Sequence, residues 1–313
     1  MEISDLQLVD VADWPADDFF ATYPEGARDK RAFFPPENCV LPFIKKTRRY
    51  LYKLSDKRYP EQFWGEIIAY WIGRMIGVPV PPAYPAIDSV KGDSAALIEW
   101  FYEDGVQSSV LGGRFMQMMI DGFDMKKGTQ HNFKSIAAFF RLLHKQGSLD
   151  DHAWLEAWAK GLIFDSLIGN TDRHQNNWAI LFRSNSGAGS VSMAPWFDNG
   201  TSFGCDRHEA SAKNWSAERF KQYLSKGKHH MRWDKASESR CSLFEMPLLL
   251  VDFDPALRDP ILRCIEALDL DELSALLDMC MLIPCYTRLS PWRAEFIYSL
   301  LEWRKEILME ILS

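Results

Sequence analysis

The stretch from residue 169 to 200, GNTDRHQNNWAILFRSNSGAGSVSMAPWFDNG, constrains this chain more than any other part of it. Asp172 is followed five residues later by Asn177, then by the strand-like run WAILF, a Ser/Gly loop, and Asp198 in WFDNG. A short hairpin between the two carboxylates brings them, with the amide, to one place. That set suits phosphoryl transfer: one Asp orients an attacking hydroxyl, while the Asn and the second Asp hold Mg²⁺ against nucleotide phosphates. Arg173 and His174 lie inside the loop. His174 is expected to orient it by hydrogen bonding, and Arg173 either to salt-bridge to structure or to approach a phosphate.

A chain of 313 residues with 47% hydrophobic and 13% aromatic content can bury a core of two lobes, or of one large domain with subdomains. A formal charge of −7 argues against general binding to nucleic acid or to an anionic membrane, because both draw on excess Lys and Arg. The six cysteines show no paired CxxC spacing, so neither a zinc site nor a disulfide framework is expected. They read as reduced thiols of a cytoplasmic protein. The N-terminus MEISDLQLVDVADWPADD has no basic, apolar leader pattern, and no apolar run is long enough to span a membrane.

Residues 1 to 25 are acidic without Lys or Arg, which marks a solvated arm or an edge element. The turn-rich segment around Gly26 follows, and it is the upstream stretch that could lie over nucleotide phosphates. In YLYKLS (50 to 55), alternation puts Lys53 and Leu51 on one face and Tyr50, Tyr52 and Leu54 on the other. The next segment, 61 to 77, has helical spacing, and Glu66 falls among its apolar positions. A carboxylate there needs a partner, and Lys53 is the natural one. That pair would hold the lysine toward the α- and β-phosphates. After a proline-rich extended piece, AALIEWFYEDG (95 to 105) reads as a buried strand that runs into an exposed turn. This is the expected hinge between lobes, and residues 97 to 101, with Glu99 among them, are where an adenine edge is expected. Beyond it the pattern is mainly helical, with helices expected over 131 to 147 and 154 to 170, the second ending at Gly169-Asn170.

GNTDRHQNNWAILF followed by APWFDNGTSFG resembles the catalytic and metal-binding motifs of HipA-like serine/threonine protein kinases, in particular the compact ones without an extra N-terminal subdomain. YLYKLS and the Glu66 helix resemble that family's nucleotide-lysine strand and partner helix, and Gly26-Ala27-Arg28-Asp29-Lys30 is similar to its phosphate loop. The resemblance implies an α+β, two-lobed protein-kinase-like fold, with a small mixed lobe over 1 to 105 and a mainly helical lobe over 106 to 313. By position it implies Asp172 as the catalytic Asp, Asn177 and Asp198 as Mg²⁺ ligands, and Lys53 as the phosphate lysine. It further implies ATP and Mg²⁺ as cofactors, a protein substrate with a Ser or Thr acceptor, and an antitoxin or other regulatory partner. Where that family's toxin carries an autophosphorylated serine, this chain reads Thr22-Tyr23-Pro24-Glu25, so self-inactivation by that route is not expected. The DRHxxN string is also similar to lipid kinases, which predicts transfer to phosphoinositides as an alternative. A nucleotide-binding pseudokinase that serves as an interaction module is the third reading.

Residues 205 to 240 hold nine Lys or Arg against five Asp or Glu, the one basic island of the chain. A solvated loop is expected there, and the His229-His230 pair lacks companions at metal-binding spacing. From Phe244 onward the pattern is helical. The last helix should open with Ser290 as N-cap and Pro291 at its first position, and bury a stripe of Phe296, Leu300, Trp303, Ile307 and Ile311.

Overall fold

Alternation and proline placement build the first lobe. In the computed structural model, which describes residues 5–17, 29–147, 151–183 and 190–313, Tyr50 and Tyr52 of strand β3 (Tyr50–Leu54) are fully buried on one face. Strands β1 (Val9–Asp10), β2 (Lys30–Phe33), β4 (Ala83–Asp88) and β5 (Asp93–Glu99) join β3 in the order β1-β4-β5-β3-β2. The β1-β4 pair is parallel and the rest are antiparallel, with Lys53 opposite Ala96 and Lys30 opposite Lys53. The acidic N-terminal segment is therefore an edge element, and Asp17 is held by Arg49 at 2.7 Å. Gly26 and the segment Thr22 to Glu25 lie outside the described residues.

Helix α1 (Trp64–Ile76) follows β3 and starts three residues later than the periodicity suggests, because Glu61 and Gln62 form a turn before it. It ends where Gly77 adopts the left-handed conformation and donates its N–H to the Gly73 carbonyl, and the prolines that follow cannot continue a helix. Trp64, Ile67, Ile68, Trp71 and Ile72 are all fully buried, so the helix is covered on nearly every side. Each such side chain stabilises the fold by roughly 1.5–3 kcal/mol relative to exposure. The helix packs between the sheet and the helical part of the chain, which places Glu66 between the lobes.

The second part of the chain runs through β6 (Gln107–Leu111), α2 (Gly112–Met119), α3 (Phe133–Lys145), α4 (Asp151–Ile168), β7 (Ala179–Arg183) and β8 (Ser190–Met193). It continues through α5 (Glu209–Ala212), α6 (Ala217–Ser225), α7 (Glu245–Phe253), α8 (Arg258–Glu266), α9 (Leu270–Leu282) and α10 (Pro291–Leu312). Asn132 caps α3 by accepting from the Ser135 N–H at 2.9 Å. Helix α4 is the central rod, and it delivers the chain at Gly169 to the loop before β7. The β6-β7-β8 sheet is antiparallel and carries the Asp198 segment back under the first lobe.

Two expectations change in detail. The basic stretch after residue 205 is partly folded, with α5 and α6 in it and His229 fully buried, because Leu224, Met231 and Leu243 pull the chain inward. Helix α10 has its expected cap, with Ser290 accepting from the Arg293 N–H, and buries Phe296 and Leu300 as expected. It also buries a second face through Ile297, Leu301, Arg304 and Leu308, since other segments cover it on both sides. Among the described residues no helix is long and apolar enough to cross a membrane.

Candidate active site

The strand lysine and the helix glutamate meet. Lys53 Nζ lies 2.7 Å from Glu66 Oε1 and 2.5 Å from Asp198 Oδ1, so one ammonium joins the sheet, α1 and the WFDNG loop. The second oxygen of Glu66 accepts the Asn199 N–H at 2.9 Å, fixing the loop to α1 from the other side. Asp198 itself has φ of 60°, a left-handed backbone that a non-glycine residue adopts only under constraint. The constraint is visible on both sides. Trp196 and Phe203 are buried, and Phe197 stacks on Phe101 at 4.9 Å, which anchors the loop. Trp196 needs Gly161 beneath it, because a Cβ there would come within 1.8 Å of the indole.

Arg173 ties the two halves of the motif together. It is fully buried, and its guanidinium donates to both carboxylate oxygens of Asp165 at 3.0 and 2.8 Å. The same group donates to the carbonyls of Asn177 and Phe197 and, at 2.7 Å, to Asn199 Oδ1. Its face also stacks on Trp196 at 4.8 Å. Of the two roles open to it, Arg173 takes the structural one. Burial raises the Asp165 carboxyl above the usual carboxylate range, and Arg173 and Asn170 act against that rise.

Asp172 is positioned through its backbone. Its N–H donates to Asn170 Oδ1 at 2.9 Å, and its carbonyl accepts from the His174 N–H at 2.7 Å and from Asn177 Nδ2 at 2.8 Å. His174 Nδ1 accepts the Asn176 N–H, so this imidazole orders the loop as expected. The side chains of Lys53, Asp172, His174 and Asp198 line one cleft of about 660 Å³. Glu66 stands behind Lys53 and is 3% exposed.

Asn177 and Asp198 suit a magnesium ion. Binding of the Asn177 amide nitrogen to the Asp172 carbonyl leaves the amide oxygen as the end available to a cation, and the Asp198 side chain is 35% exposed. Two hard oxygen donors, completed by phosphates and water, are what Mg²⁺ takes in nucleotide sites. Among the described residues no cluster of three His, Cys, Asp or Glu side chains exists to hold a metal of another class.

Glu99 is placed elsewhere. Its carboxylate is 2.8 Å from Lys45 Nζ and accepts from the Tyr50 hydroxyl at 3.5 Å, apart from the Lys53 cluster. The Glu99 N–H donates to the Pro82 carbonyl, but Pro82 has no N–H to return, so the ladder leaves the Glu99 carbonyl unanswered on that edge.

Asp165, Asn170 and Asn199 complete the site and are not singled out by sequence reasoning. Asp165 had a signal, a carboxylate among the apolar positions of the α4 pattern, like Glu66 in α1. The two asparagines act through loop contacts that no spacing reveals.

The chain matches the model of the HipA-like C-terminal domain over residues 23–248. No curated protein matches it by sequence. Among solved structures it is similar to CtkA, a proinflammatory kinase of Helicobacter pylori, at 17% identity over 97% of this chain and 96% of that one, with a TM-score of 0.76. It is also similar to HipA of the Shewanella oneidensis MR-1 toxin–antitoxin system, at 15% identity over 95% of this chain and 67% of that one, with a TM-score of 0.55. With the family model spanning most of the chain and the fold shared end to end with a kinase, this protein belongs to the HipA-like family and has its kinase-like, phosphotransferase fold.

Proposed function

We propose that the protein is a Mg²⁺-ATP-dependent kinase that phosphorylates Ser or Thr hydroxyls of a protein. The observation that carries this reading is the Lys53-Glu66-Asp198 network facing Asp172 across one cleft. The acceptor oxygen attacks the γ-phosphorus, the bond to the β,γ-bridging oxygen breaks, ADP leaves, and the hydroxyl proton passes to Asp172. Lys53 holds the α- and β-phosphates, with Glu66 fixing its direction. Asn177 and Asp198 would hold Mg²⁺, which when bound would neutralise phosphate charge. Glu99 enters through its backbone carbonyl, as acceptor for the adenine amino group. The reading includes a lobe boundary near residue 105 and a cytoplasmic setting. It also includes a regulatory protein partner, in keeping with the toxin–antitoxin system of the Shewanella relative.

The test is transfer of labelled γ-phosphate from Mg²⁺-ATP to the protein itself, to a cell lysate and to a lipid extract. Wild type labels proteins, and Asp172→Asn and Asp198→Asn each lower the rate by about 10²–10⁴-fold without a change in melting temperature. Label confined to lipid turns the assignment to a lipid kinase. ATP binding with no label anywhere leaves a nucleotide-binding interaction module.

A further inference from the structure

Arg304 is a buried cation without a counter-ion. It lies on α10 between Leu301 and Leu308, on a face that enters the core, and it is 4% exposed. Among the described residues its guanidinium makes one hydrogen bond, to the Leu167 carbonyl at 3.4 Å, and its Nε makes none. No carboxylate contributes to its electrostatics, and burial brings it down to about 10, so it remains charged at neutral pH. The other deeply buried arginines are compensated: Arg173 by Asp165, and Arg293 by the Gly204 carbonyl and Glu61. A buried charge left unpaired is costly, so Arg304 is incomplete as it stands.

Arg304 lines the same cleft as Asp172. Arg304 Nη2 lies against Gly169, three residues before Asp172, where φ is 70° and a Cβ would come within 2.2 Å of it. Arg207, Tyr223 and Lys226 line this end of the cleft as well. Arg207 has a buried Nε without a partner, and its ion pair with Asp206, at 2.5 Å, is exposed to solvent. The Arg207 guanidinium lies 5.1 Å from the centre of the Tyr223 ring, and Tyr223, Arg207 and Arg304 line the same cleft. Arg304, Arg207 and Lys226 share the cleft with the cations Lys30, Lys53 and Arg58 and with the carboxylates of Asp56, Asp172, Asp198 and Asp206, so positive charge is in excess there. The ATP-facing lysine enters from β3, whereas these groups enter from α10 and from the segment after Asp198.

We propose that Arg304, Arg207 and Lys226 form an anion subsite for the acceptor, holding a phosphate monoester or carboxylate side chain of the substrate polypeptide near the hydroxyl to be phosphorylated. The proposal rests on the kinase reading and names its substrate class: acidic or already phosphorylated sequences. Guanidinium groups bind both anions by paired, charge-assisted hydrogen bonds, and exclusion of water strengthens them.

The test uses the full chain and fluorescein-labelled peptides with one Ser acceptor in an Ala/Gly background, each flanking residue being replaced in turn by Glu or by phosphoserine. Binding is read by anisotropy without ATP, and transfer by γ-label from Mg²⁺-ATP. At one flanking position the charged peptide binds at least about tenfold tighter than the neutral one. The Glu and phosphoserine arms tell carboxylate from phosphate recognition. Arg304→Gln and Arg207→Gln each cut that preference to within about twofold, while ATP binding is kept. Should Arg304→Gln fail to fold, Arg207→Gln decides, since its side chain lies at the protein surface. Equal binding of neutral and charged peptides by wild type, or a preference that survives Arg207→Gln, overturns the subsite. Charge-dependent binding without label transfer would instead remove the kinase reading and leave the subsite standing.

Discussion

Arg173 and Lys53 each gather several oxygens at the centre of the motif, but one is sealed and the other opens on the cleft. Arg173 has no exposed surface, and its donors are taken by Asp165, two carbonyls and Asn199. Nothing in that network waits for a ligand. Lys53 holds two carboxylates, and one of them, on Asp198, is partly exposed. Two acids around one base suit a site in which a cation arrives with the nucleotide and takes a share of Asp198. The difference teaches how the same kind of interaction serves two ends: closed and complete it fixes a loop, open and unbalanced in charge it receives a substrate.

That contrast breaks most sharply at Arg173. Arg173→Met leaves Asp165 buried and unpaired and should cost about 3–5 kcal/mol in chemical denaturation. A loss under about 1 kcal/mol would mean that the sealed network is not structural. Lys53→Met is expected to act the other way, lowering phosphoryl transfer by about 100-fold, or roughly 3 kcal/mol in the barrier. Its stability should fall by only about 1–2 kcal/mol, since Glu66 keeps the Asn199 N–H and cleft water reaches Asp198. Comparable loss of folding and of activity in that variant would erase the distinction.

A smaller effect sharpens the comparison through pH. Burial lowers His131 and His229 to about 3, and for His229 the nearby Arg173 charge adds to the effect. With the unfolded value near 6.5, the unfolded state takes up protons that the native state refuses. The stabilising contribution is therefore whole above about pH 6.5 and is lost as pH falls toward 3. Stability at pH 5 should be lower than at pH 7 by about 1–2 kcal/mol for each of the two histidines. His229→Gln should flatten that slope by one histidine's share, measured by denaturant titration at both pH values. An unchanged slope would show that His229 does not titrate with folding.

The site was legible where an ionisable residue broke an apolar pattern. Glu66 in the α1 repeat demanded a partner, and Lys53 supplies it at 2.7 Å. Asp172, Asn177 and Asp198 were legible from spacing, because a hairpin of β7 and β8 fixes how far apart their ends can lie. Glu99 was read as part of the 97 to 101 stretch expected at an adenine edge, and its carboxylate goes to Lys45. Arg304 sits in a run of charges, RKE, that reads as a solvated face, and only the covering of α10 on two sides shows otherwise.

Local chemistry in the sequence thus determined the Lys53 strand, the Glu66 helix, the helices before the Asp172 loop, the N-cap of α10, and the residue set Lys53, Glu66, Asp172, Asn177 and Asp198. Those depend on periodicity and on groups that cannot be buried alone. Only the tertiary structure decided that Arg173 turns to Asp165 rather than to the cleft, that Glu99 points away from it, and that Arg304 points into it. A side chain's role as anchor or as ligand site depends on what the other lobe and the distant helices leave uncovered, and that is a property of packing between segments far apart in the chain.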